Sequence, residues 1–144
     1  MSGSNRAPQF FGYTEETPMK KIALLAACAA LTATPVLADT AAELSIAQNH
    51  AGMAAKAADL KTTQMHLHHA VNCLVGPGGQ GYDPSNANPC GKAGNGAIPD
   101  STDAGQKAKL QAAVADAGPG LTTTDLAAAQ KAAQATADAI GAAK

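Results

Sequence analysis

The chain has 144 residues, 46% apolar and 15% charged, with a formal net charge of −1, which suits one small domain and is too little for two. Aromatic residues make up 3% and Trp is absent, so a core built on rings and the stacking platforms of single-strand nucleic-acid binders are both excluded. The near-neutral charge removes the basic footprint of a duplex binder, and no nucleic-acid partner is expected.

Residues 1–18 (MSGSNRAPQFFGYTEETP) match neither a targeting segment nor a domain and are read as an upstream extension, disordered or artefactual. A second methionine, Met19, opens MKKIALLAACAALTATPVLA. Lys20 and Lys21 form a positive start, Ile22 to Leu31 an apolar run, and Val36-Leu37-Ala38 places small residues before a cleavage point. Residues 19–38 therefore read as a secretory signal peptide, with an apolar run too short to span a bilayer. Leu25-Ala26-Ala27-Cys28 resembles a lipobox, but only six apolar residues precede the cysteine, which favours cleavage after Ala38. The mature chain, 39–144, is then periplasmic or secreted and not membrane-embedded. Its two cysteines, Cys73 and Cys90, are expected to pair in an oxidising compartment.

The mature chain holds 28 alanines and one aromatic residue, Tyr82. Ile46, Met53, Leu60, Leu67 and Leu74 recur every seven residues, which predicts one long helix over 40–75 with an apolar seam, or two if it breaks near Gly52. Residues 76–100 carry seven glycines and four prolines, a density that predicts a loop. A Cys73–Cys90 bond would pin that loop against the end of the first helix. A second helix is predicted over 102–117, capped by Ser101, Thr102 or Asp103 and stopped at Gly118-Pro119. A third is predicted over 123–143, with Thr122 as N-cap, Asp125 as the capping-box acid and a Leu121–Leu126 staple. The expected architecture is all-α: a small three- or four-helix bundle with a long Gly/Pro-rich loop pinned by a disulfide.

All four histidines, His50, His66, His68 and His69, fall in the first helical segment. At 100° per residue, His66, His69 and Cys73 lie within about 60° of one another, opposite the Leu60–Leu67–Leu74 seam. Imidazoles on adjacent turns form a half-site for Cu, Zn or Ni in preference to Mg or Ca. His66 and His69 are the first candidates, with His68 and Met65 next. A further ligand is expected from the loop, where Asp83, Asn86, Asn88 and Asp100 have suitable donors. On a single continuous helix, His50 would stand about 24 Å away. An alternative remains open, in which His66, His69 and Asn72 hydrogen-bond to the glycine-rich loop and bind no metal.

Other chemistries lack their residues. The run Gly76-Pro77-Gly78-Gly79-Gln80-Gly81 follows a helix and lacks the Walker lysine pattern, so no nucleotide is expected. Asp83 to Asn88 departs from the EF-hand loop at its glycine and its terminal acid. The absence of C-x-x-C-H excludes ordinary covalent c-type haem, and no Phe or Trp is available to line a non-covalent haem slot. No triad or carboxylate pair argues for an enzyme.

With MHLHHAVNCLVGPGG at 65–79 and NPCGKAGNGAIPD at 88–100, the chain resembles small exported bacterial proteins that join a histidine-cluster helix to a glycine-rich N-P-C loop. It is more loosely similar to small periplasmic helical proteins that carry histidines on one face and bind copper or other divalent ions. The latter likeness implies metal storage or buffering through His66, His68 and His69. A metal ion is the expected partner; a homo-oligomer or a periplasmic protein partner is the competing expectation for the alanine-rich helices.

Overall fold

The computed structural model describes residues 38–144; the 1–18 extension and all of the 19–38 segment except Ala38 lie outside them. The described residues form five helices and no strand: α1 (Thr40–Lys56), α2 (Leu60–Val75), α3 (Ala97–Asp100), α4 (Ala104–Thr122) and α5 (Leu126–Ala142). The all-α expectation holds. The four long helices form a bundle of two hairpins, α1–α2 and α4–α5, with α1 also packed on α5 and α2 on α4.

Each long helix starts in the same way. Asp39, Asp59, Asp103 and Asp125 are the N-caps, and their carboxylates accept from the backbone N–H of Ala42, Thr62, Gln106 and Ala128. An aspartate there satisfies an orphan donor and faces the positive end of the helix dipole.

Asp59 corrects the single helix expected over 40–75. The chain leaves α1 at Ala57 in an extended conformation (ψ 144°), and Asp59 opens α2. Gly52 stays within α1. Gln130 of α5 donates to the Ala57 carbonyl at 2.9 Å, so a tertiary contact secures the break. With the helix folded back, the seven-residue seam no longer marks one face. Leu67 and Leu74 are buried, but α1 buries Leu44, Ala47, Ala51 and Ala54 instead, and Met53 is 42% exposed.

Two other boundaries move. The helix expected to stop at 117 runs to Thr122 with Pro119 inside it. Proline there removes one hydrogen bond near the helix end, where carbonyls find other donors. Gln64 Nε2 of α2 reaches the carbonyls of Gly120, Leu121 and Thr123 at 2.9–3.3 Å. The Thr122 hydroxyl donates to the Gly118 carbonyl. Consequently α5 begins at Leu126 with Asp125 as its cap, displacing Thr122 from that role, and Leu121 belongs to α4.

The core is aliphatic and fine-grained. Leu67, Leu74, Leu110, Ile140 and Val71 are fully buried among alanines, next to Cys73 and Cys90. Those cysteines form the expected disulfide, with Cα atoms 5.2 Å apart. The 76–100 segment is mostly turns, apart from α3, and is held from three directions. The disulfide fixes Cys90. Asn72, fully buried on α2, donates from Nδ2 to the carbonyls of Asp83 (2.9 Å), Asn86 and Ala87 (both 3.2 Å) and accepts from the Asp83 N–H (2.8 Å). Glu43 of α1, also buried, accepts from the Gly96 N–H at 2.7 Å. Burial, with Asp100 and Asp39 nearby, pushes the Glu43 carboxyl above its ordinary pKa.

Candidate metal centre

The α1–α2 hairpin turns about Ala58. His50 lies eight residues before that point and His66 eight after it (58 − 8 and 58 + 8), so the antiparallel helices bring the two side by side. At 1.5 Å per residue, both stand about 12 Å from the turn. His69 is one turn beyond His66 on the same face of α2.

The three rings form one cluster. Centroids are 5.4 Å apart for His50–His66, 5.1 Å for His50–His69 and 5.8 Å for His66–His69. One ligating nitrogen from each lies within 4.8 Å of the other two, and all three residues are partly buried. His50 Nδ1 and His66 Nδ1 are 3.2 Å apart. Two nitrogens about 2.05 Å from a tetrahedral ion stand about 3.3 Å from each other, so this pair already has the spacing of two ligands. His69 Nδ1 is buried with no hydrogen-bond partner among the described residues.

The electrostatics favour neutral imidazoles. Burial first, and then the neighbouring His69 and His66, push His50 down to about 4. Burial, followed by His66 and His68, also lowers His69. A metal competes for the imidazole lone pair that a proton would otherwise occupy, and at neutral pH these two rings are free of that competition.

The candidates read from the sequence separate into two groups. His66 and His69 belong to the cluster. His68 turns towards the loop, with Nδ1 3.4 Å from Asp83 Oδ2. Met65 is 38% exposed and shares a groove with His68, Lys61 and Asn86, apart from the groove that His66 lines. The loop residues expected as further ligands are engaged elsewhere. Asp83 accepts from Ser85 and Asn86, contacts that hold its carboxyl at about 2. Asp100 accepts from Asn95, and Asn88 accepts from the Cys90 N–H. The third member of the cluster is His50, which sequence reasoning set aside as too distant. Asp59 carried the signal for it, since a helix start there folds α1 back onto α2.

The loop-anchor role divides in the same way. Asn72 performs it, with His68 facing Asp83, whereas the hydrogen bonds of the three clustered histidines include none to the loop. A groove of about 850 Å³ lies among Val75, Pro77, Ile98, Val114 and the loop glycines, and no histidine or carboxylate of the described residues lines it. No protein-family model, curated protein or solved structure matches the chain.

Proposed function

We propose that this is an exported helical protein that binds one transition-metal ion, Cu, Zn or Ni, through His50, His66 and His69, and that it buffers metal without catalysing a reaction. One observation carries the reading: three partly buried imidazoles from two helices converge with ligating nitrogens within 4.8 Å. Burying three imidazoles together, one with an unpartnered nitrogen, forgoes hydration that a metal bond would replace. Imidazole donors suit Cu, Zn and Ni. The disulfide is in keeping with an oxidising compartment, and no helix among the described residues is long and apolar enough to cross a membrane. The sequence of residues 19–38 supports export, as does the resemblance to small exported bacterial proteins.

The test is native mass spectrometry of the periplasmically exported chain after exposure to copper, zinc and nickel. A stoichiometric adduct is expected in the wild type and in His68→Gln, and none in the His66→Gln/His69→Gln double variant or in His50→Gln. Circular dichroism on each variant checks that the fold survives. A wild-type chain that takes up no metal would overturn the proposal and leave the imidazoles as packing between two helices.

A further inference from the structure

We propose that Met53 supplies a thioether as the fourth ligand of this site, and that the site consequently selects copper(I). The inference rests on the metal-binding reading above and goes beyond it by naming the ion and the missing donor. Met53 is three residues after His50 on α1, so its side chain emerges on the same face one turn further along. It lines the open groove of about 680 Å³ that His66 also lines, together with Asn49, Lys56 and Thr62. The seven-residue seam would place it in the core, yet the alanines on either side, Ala51 and Ala54, are buried and Met53 is 42% exposed. It is not among the partly buried apolar side chains that pack against the core, such as Ile46 and Ala55. Its three rotatable bonds give the sulfur reach.

Charge and softness then choose the ion. Every donor in the set is neutral, so nothing in it offsets the charge of the guest. Transfer of an ion out of water costs in proportion to the square of its charge, so a monovalent ion is placed there far more cheaply than a divalent one. Lys56, on the same groove, adds repulsion that also grows with the ion's charge. Thioether and imidazole together match soft copper(I) better than zinc or nickel. Met65, the soft donor that the sequence suggests, lies with His68 in another groove.

The experiment uses the oxidised chain, with its disulfide intact, in competition with a chromophoric copper(I) chelator under ascorbate and, separately, with a zinc chelator. Wild type, Met53→Leu, Met65→Leu and His66→Gln/His69→Gln are compared. Met53→Leu is expected to weaken copper(I) binding by about tenfold or more, leaving zinc affinity within about twofold; Met65→Leu should change neither. X-ray absorption on the copper(I)-loaded wild type should show a sulfur bonded to copper that Met53→Leu lacks. Undiminished copper(I) affinity in Met53→Leu, or a copper site without sulfur in the wild type, overturns the role of Met53 while the three-histidine site stands. A wild type that binds zinc and not copper(I) does the same. Loss of every metal from the wild type overturns the underlying reading as well.

Discussion

Replacing Asn72 with Asp keeps the side chain's size and reverses the polarity of one end, which isolates hydrogen bonding from packing. Asn72 is fully buried, and its Nδ2 faces three carbonyls, those of Asp83, Asn86 and Ala87, at 2.9–3.2 Å. Two N–H hydrogens can make two full bonds among those three acceptors. Each contributes about 1 kcal/mol net, and a carboxylate oxygen in place of the amide adds about 1–3 kcal/mol for buried acceptors left facing one another. Asn72→Asp should therefore cost about 3–5 kcal/mol, a large share of a stability of roughly 5–15 kcal/mol. Asn72→Ala loses the same donors and leaves space for water, because Asp83 and Asn86 are only partly buried; it should cost less, about 2–3 kcal/mol. Urea denaturation with the disulfide intact measures both, and hydrogen exchange should show faster opening of amides 79–88 while α4 and α5 are unchanged. An Asn72→Asp variant within 1 kcal/mol of wild type, with those amides still protected, would refute the assignment of Asn72 as the post that holds the loop.

Four further outcomes follow from other parts of the molecule. The metal-free protein should lose stability as pH falls from 6.5 towards 4, because His50, held down at about 4, takes up its proton in the unfolded chain first. After allowance for the solvent that still reaches the ring, the loss is about 1–2 kcal/mol; Glu43 acts with the opposite slope above pH 4.5, so the difference between wild type and His50→Gln in urea melts across that range is the quantity to read. Replacing Cys73 and Cys90 with serine opens a closure of 17 residues and should cost about 3 kcal/mol in chemical denaturation. A Cβ at Gly120 would meet Leu67 Cδ2 at 2.7 Å and Ala132 Cβ at 2.9 Å, so Gly120→Ala should destabilise by about 1–3 kcal/mol, whereas Gly52→Ala, inside α1 with nothing beyond its chain neighbours and its own helix within 4 Å, should stabilise by up to about 1 kcal/mol. An ion that binds only the folded hairpin, supplied at 100 times its Kd, should add about 2.7 kcal/mol and raise the melting temperature by more than about 10 °C, an effect absent from His50→Gln.

What was legible in the sequence depended on whether a signal was local. Glycine and proline density marked the 76–100 segment, cysteine parity marked Cys73 and Cys90, and Asp103 was among the caps expected for α4. Asp59 is as plain a cap as Asp103, yet the seven-residue run through Leu60 concealed it, since periodicity persists across a break of three residues even when the helix direction reverses. The same run drew Met53 into a core position that small alanines fill, because a bundle so poor in large side chains packs its helices closely on Ala47, Ala51 and Ala54. Pro119 misled for the opposite reason. Its breaking effect is local, and Gln64, about 56 residues distant in sequence, supplies the donors that let α4 continue.

The reversal at Ala58 connects the fold to the site. In one continuous helix the histidines divide into a pair and a distant third, a poor ligand set; in the hairpin they converge. The other polar requirements of the structure are met by different residues: Asn72 for the loop carbonyls, Glu43 for the Gly96 N–H, Gln64 for the end of α4 and Gln130 for the turn itself. His68, the histidine nearest the loop, faces Asp83. Beyond packing on one another, His50, His66 and His69 make a single Nδ1–Nδ1 contact among the described residues, in a position where burial keeps His50 and His69 from being charged at neutral pH. Three imidazoles gathered on one side of a hairpin that other residues hold closed are the preorganised set that the proposed metal-binding role requires.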